Sequence, residues 1–228
     1  GRAARRRIES SSDRHPGRGR SHPPCMTDCT HDARLIGAGR AGGALARALR
    51  SAGWDVDGPL GRDADPGPAA TGTRLLVLAV PDAAITDVAA AVAPGDAVVA
   101  HLAGSLGLAA LGRHPRVASL HPLVALPDPE RGAARLRGAW FATAGDPVIG
   151  EVVAALGGRA VEVPDEHRVA YHAAAVIAAN HLVALLGQVE RVAAGVGVPL
   201  DAYLDLARGS LDDVAAAGPA AALTGPVS

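Results

Sequence analysis

Six residues, Gly37-Ala38-Gly39-Arg40-Ala41-Gly42, separate a short apolar run at 33–36 from an amphipathic stretch carrying Leu45, Ala46 and Leu49. Few spacings constrain a chain more. The first glycine allows a tight turn out of a strand, the second lets another group approach the backbone, and the third lets a helix close on the strand. The helix that follows offers free N–H groups and the positive end of its dipole. A strand, this turn and a helix in succession imply a diphosphate on backbone amides, hence a dinucleotide-binding α/β fold. Residues Gly37, Ala38, Gly39, Arg40, Ala41 and Gly42 are its expected contacts, and Gly53 is positioned to end the helix in the left-handed conformation.

The alternation continues. Strands are expected near 54–60, 74–80, 97–101, 117–120 and 140–144, with an edge strand near 160–163. Helices fill the gaps at about 85–92, 106–111 and 147–156. The run Arg74-Leu75-Leu76-Val77-Leu78-Ala79-Val80 reads as a central strand buried on both faces. The fold class is α/β: a doubly wound parallel Rossmann sheet followed by an all-α C-terminal domain that reads as incomplete. Residues 1–31 form a basic extension expected to be disordered, 32–164 the dinucleotide-binding domain and 165–228 the helical domain. Residues 165–195 are apolar on most sides and are therefore expected to be buried, in the helical domain or in a homodimer interface.

Charge narrows the partners. Residues 1–25 hold seven Arg against Glu9 and Asp13, whereas the remainder is acidic and the whole chain carries −1. An acidic body argues against nucleic acid. No apolar stretch follows Arg5-Arg6-Arg7, so an export signal is not expected. No run approaches transmembrane length, and a cytoplasmic protein without a membrane partner is expected. The only methionine, Met26, reads as the natural start. His22, Cys25, Cys29 and His31 fit no common zinc spacing, so no metal is expected. Lysine is absent from the chain, which removes Schiff-base chemistry and a lysine acid.

The end of the second strand decides between cofactors. An acid there grips a ribose hydroxyl of NAD, and an arginine accommodates the extra phosphate of NADP. Asp57 and Arg62 are the two candidates. If the strand runs through Leu60, Arg62 lies in the loop over the ribose, Arg40 can assist, and NADP is preferred over NAD.

The runs Leu35-Ile36-Gly37-Ala38-Gly39-Arg40-Ala41-Gly42, Leu78-Ala79-Val80-Pro81-Asp82, His101-Leu102-Ala103-Gly104-Ser105, Ser119-Leu120-His121-Pro122-Leu123 and Tyr171-His172 with Asn180 together resemble one family. It comprises Rossmann-like oxidoreductases with a C-terminal helical domain of unknown function. They are related to pyrroline-5-carboxylate reductase, ketopantoate reductase and β-hydroxyacid dehydrogenases. The resemblance implies an NADP-dependent reductase of a small carbonyl, ketopantoate included, with Val80 and Pro81 in the cofactor site. The family often reads His-x-Ser-Gly after the fourth strand. Here Ala103 replaces that serine, and Ser105 is the nearest hydroxyl.

Reduction of a carbonyl or imine needs a proton donor for the developing charge. His121 and His101 sit at expected strand ends, where such groups collect, and His121 is preferred because Pro122 stiffens its loop. Asn180, the only asparagine, is expected to be a buried amide that binds the substrate carbonyl or bridges helices. His172 lies two turns earlier, about 80° around the helix. Tyr171 reads as core or interface. Arg168 could meet a carboxylate but, near a helix start, reads as solvated. The alternative function is a non-catalytic NADP-binding regulatory or scaffold protein.

Overall fold

The computed structural model describes residues 31–223. The cysteines, Met26 and most of the basic extension lie outside them. Seven strands form one sheet in the order β2-β1-β3-β4-β5-β6-β7. They are β1 (Asp32–Ile36), β2 (Asp55–Leu60), β3 (Leu75–Leu78), β4 (Val98–His101), β5 (Val117–Pro122), β6 (Trp140–Gly145) and β7 (Arg159–Glu162). The chain leaves β1 toward β2 on one side and returns to β3 on the other. That reversal opens a crevice at the carboxyl ends of β1 and β3.

Strands β1 to β5 are parallel to their neighbours, but β6 runs antiparallel to β5, with His121 opposite Ala142. The expected parallel sheet is therefore mixed. The cause is α3 (Pro129–Leu136), a helix the alternation did not predict. It turns the chain back along α1 (Arg40–Ser51) so that β6 enters from the opposite end. Its signal was local: Asp128 accepts the Arg131 N–H at 2.8 Å, followed by Pro129 and Glu130 in the first turn. Gly43 and Gly132 let α1 and α3 approach, since a Cβ on Gly43 would meet Pro129 at 3.0 Å.

Alternation along the strands divides the core. Leu35, Leu75, Val77, Val98, Ala100 and Leu120 face α1, α3 and α4 (Val148–Ala155). Leu76, Leu78 and Val99 face α2 (Ile85–Ala91) and two short 3-10 turns at Gly67–Ala70 and Leu108–Leu111. Each fully buried leucine contributes roughly 1.5–3 kcal/mol, so this sheet needs little aromatic bulk. Toward β5 the second face turns polar: His101, Ser119 and His121 replace the aliphatics.

A helical segment covers that polar end. After a 3-10 turn at Asp165–His167, α5 (Arg168–Val176) passes through a π turn (Ile177–His181) into α6 (Leu182–Ala193), and α7 (Leu200–Ala217) follows. Within this single chain the segment at 165–195 is largely exposed, with Val169, Val183 and Val192 at 73, 70 and 75%, so the helical domain does not cover it and the homodimer interface is the expectation that is left. Nor does the expectation of no bilayer-length run hold: Asp165–Ala193, at 29 residues, is long and apolar enough by length and composition. His172, Asn180 and His181 interrupt the apolar run in sequence but not the helix.

Candidate functional site

The glycine turn has the geometry its spacing demands. Gly37, with φ of +112°, packs its Cα against the Ala79 carbonyl and donates its N–H to Leu60 O at 2.9 Å. A Cβ on Gly42 would collide with the Gly37 carbonyl, whereas Gly39 has nothing within 4 Å. Two glycines are thus fixed by packing and the middle one opens onto space. The first backbone bond of α1 is Gly43 N–H to Gly39 O at 2.9 Å. The N–H groups of Arg40, Ala41 and Gly42 precede it without hydrogen-bond partners among the described residues. No acid stands in that first turn, and no side chain caps it. Backbone donors, helix dipole and open space fit a diphosphate.

The cofactor candidates gather around this turn. Ala79 donates to Ile36 O at 2.7 Å, which brings Val80 and Pro81 alongside it. Arg62 lies just beyond β2, at the end where Leu60 bonds to Gly37. Both Arg40 and Arg62 are exposed and make no ion pair among the described residues. Asp57 instead lies within β2, opposite Arg34, and accepts its Nε–H at 2.6 Å. A carboxylate held there is committed to the sheet.

The second cluster forms where α5 meets the carboxyl ends of β4 and β5. His121 Nδ1 and the Tyr171 hydroxyl share a hydrogen bond of 2.7 Å. The His121 ring meets Tyr171 and His172 edge to face, at 5.5 and 5.7 Å between centroids. Gly104 makes this possible, because a Cβ there would strike both imidazoles, lying 2.8 Å from His121 Nε2. Burial, and then the nearby His172 and Arg168, push the His121 pKa down to about 4. Burial pushes the Tyr171 hydroxyl up from 10.0. Near neutral pH the imidazole is uncharged and the phenol keeps its proton.

A cleft of about 630 Å³ opens from this cluster, bounded by His121, Leu123, Val124, Tyr171, His172, Val176 and Asn180. The structure therefore brings His121 from β5, His172 from α5 and Asn180 from the π turn to one cleft. Asn180 is exposed rather than buried as expected, because the π turn presents it on the cleft wall. His101 is fully buried, its Nε2 3.3 Å from Gly107 O, and burial lowers its pKa. Ala103 is core, and the Ser105 hydroxyl donates to Asp82 at 3.3 Å.

Sequence reasoning placed two further residues wrongly. Tyr171, read as core or interface, lines the cleft and bonds to His121. Arg168, read as solvated, is fully buried and donates through Nη2 to Ser119 Oγ. Gly104 was missed altogether, although its place between His101 and Ser105 was a signal.

Residues 142–228 match the family described as Domain of unknown function (DUF2520). No curated protein matches the chain. Among solved structures, a Bacteroides fragilis protein provisionally described as an NADP oxidoreductase superposes with a TM-score of 0.70 at 19% identity, covering 86% of this chain and 85% of its own. A Thermotoga maritima protein gives 0.65 at 24%, covering 86% and 83%. Plasmodium falciparum pyrroline carboxylate reductase, with NADP bound, gives 0.62 at 13%, covering 82% and 79%. The fold is Rossmann-like, a mostly parallel seven-stranded sheet with helices toward the C-terminus.

Proposed function

We propose that this chain is an NADP-dependent oxidoreductase that reduces a small carbonyl or imine compound, 2-keto acids included. The observation that carries the reading is the open glycine turn at the crevice of a sheet that also presents, at the ends of β4 and β5, the Tyr171–His121 pair. Similarity in fold to the Bacteroides oxidoreductase and the Plasmodium reductase supports it.

In this reading the N–H groups of Arg40, Ala41 and Gly42 hold the diphosphate, with Gly37, Ala38 and Gly39 shaping the turn. Val80 and Pro81 flank the dinucleotide, and Arg62 with Arg40 meets the ribose phosphate that distinguishes NADP from NAD. The bound nicotinamide supplies the hydride. Tyr171 gives its proton to the substrate oxygen or nitrogen that takes up negative charge. His121 then returns a proton from Nδ1 to the phenolate while Nε2 takes one from water, so the imidazole ends neutral. Asn180 orients the carbonyl or imine from the cleft wall, and His172 closes the side nearest Gly104. The exposed apolar faces of α6 and α7 join two copies of the chain, and the helical part from Asp165 onward serves as a second domain.

The test is NADPH oxidation by the full chain against ketopantoate, pyrroline-5-carboxylate and simple keto acids and ketones. Turnover with any of them supports the reading. Tight NADPH binding with no turnover across the panel favours a non-catalytic NADP-binding protein instead, for which Ala103 in place of a serine and the absence of lysine are the specific features.

A further inference from the structure

One turn of α5 is fastened to β5 at two points. Arg168 and Tyr171, three residues apart, share a face of the helix. Ser119 and His121, two apart, share a face of the strand. Arg168 Nη2 donates to Ser119 Oγ, and the Tyr171 hydroxyl bonds with His121 Nδ1. The two bonds are rungs between one helical turn and one strand. The first rung is sealed, with Arg168 and Ser119 both at 0% exposure, while the second borders the cleft.

Burying a guanidinium is costly unless all its donors are met. Here Nε and Nη1 have no hydrogen-bond partner among the described residues, and the Asp165 carboxylate oxygen is 3.8 Å from Nε. An aliphatic side chain would dock the helix without that cost, so docking alone does not account for an arginine. Asp165 also accepts the Leu108 N–H at 2.9 Å and leaves no room for a side chain at Gly107. The arginine is thereby tied to the β4–β5 connection, which carries Gly104 against both imidazoles.

We propose that Arg168 is a positioning residue for the proton-donating pair: through Ser119 it sets the seat of α5 on β5 and so holds the Tyr171 hydroxyl on His121 Nδ1. Its meaning for catalysis rests on the function proposed above; its meaning for the hydrogen bond does not. The groups facing His121 are Arg168, Tyr171 and His172 from α5, His101 from β4 and Asp82 beyond β3. Of these, Arg168 is the permanent cation.

The experiment is long-range proton–nitrogen NMR on the full chain labelled at histidine nitrogen, with H121Q to assign the ring. Y171F gives the His121 Nδ1 shift without the hydrogen bond. S119A and R168M are expected to move Nδ1 toward that value, R168K to recover part of the movement, and R168M to raise the His121 pKa. With any substrate that turns over, S119A is expected to lower kcat about tenfold while the NADPH Kd stays within about twofold. An unmoved Nδ1 in S119A and R168M, beside a moved one in Y171F, overturns the proposal. If R168M does not fold, S119A decides. Because the spectrum needs neither cofactor nor substrate, failure to bind NADPH would overturn the proposed function and leave this result readable.

Discussion

The Tyr171 hydroxyl lies 2.7 Å from Nδ1 of His121, joining residues fifty positions apart on a helix and a strand. The tyrosine keeps its proton because burial raises its pKa, and the imidazole stays neutral because burial and the neighbouring His172 and Arg168 lower its own. A protonated phenol beside a neutral imidazole can give up one proton and regain it.

Y171F removes the donor and leaves the glycine turn untouched. Turnover is expected to fall by about 10²–10⁴-fold. NADPH affinity, measured by fluorescence titration, is expected to stay near the wild-type value. H121Q should fall less, since the tyrosine remains. Equal losses of turnover and cofactor affinity in Y171F would assign the pair to structure alone.

G104A places a methyl group against both imidazoles of His121 and His172. Overpacking of this kind costs typically 1–3 kcal/mol. We expect a lowered Tm and a loss of turnover greater than the stability change explains. A G104A protein with wild-type kcat would show that the two histidines are free to move.

R62A, alone and with R40A, should weaken NADPH far more than NADH, because both arginines are exposed and unpaired among the described residues. An order-of-magnitude change in the ratio of the two Kd values is expected, and it should shrink with added salt because the attraction is between exposed charges. A parallel loss for both dinucleotides would place the extra phosphate elsewhere.

His121 also makes stability depend on pH. Its folded pKa, about 4, lies below the ordinary 6.5, so between these values the unfolded chain binds more protons than the folded one. Stability from this group is complete above about pH 6.5 and declines as pH falls toward 4. His101 acts in the same direction. Thermal melts should show Tm falling over that window, and H121Q should flatten the slope. A slope unchanged in H121Q would assign the pH dependence to other groups.

Much of the frame was legible in the residues. The glycine turn, the buried strand at Leu75–Leu78 and the long helix from Arg168 follow from local spacing, which backbone geometry fixes. The antiparallel β6 did not follow, because strand direction depends on α3, whose start was marked only by Asp128-Pro129-Glu130. His121, His172 and Asn180 could be named as candidates one at a time. That Tyr171 completes them could not be read, because its partner lies on another element. Arg168 misled because a helix start is usually wet, and only the packed sheet shows that this one is sealed. The apolar segment after it was legible as a surface that avoids water, but composition does not tell what covers it, and within one chain it stays exposed.

The proposed reduction requires a diphosphate seated at Gly39. Isothermal titration of the full chain with NADPH, repeated with G39V, tests this most directly. One-site binding of NADPH, tighter than NADH and abolished in a folded G39V protein, is the predicted result. No heat of binding from either dinucleotide, or equal binding by G39V, would contradict it.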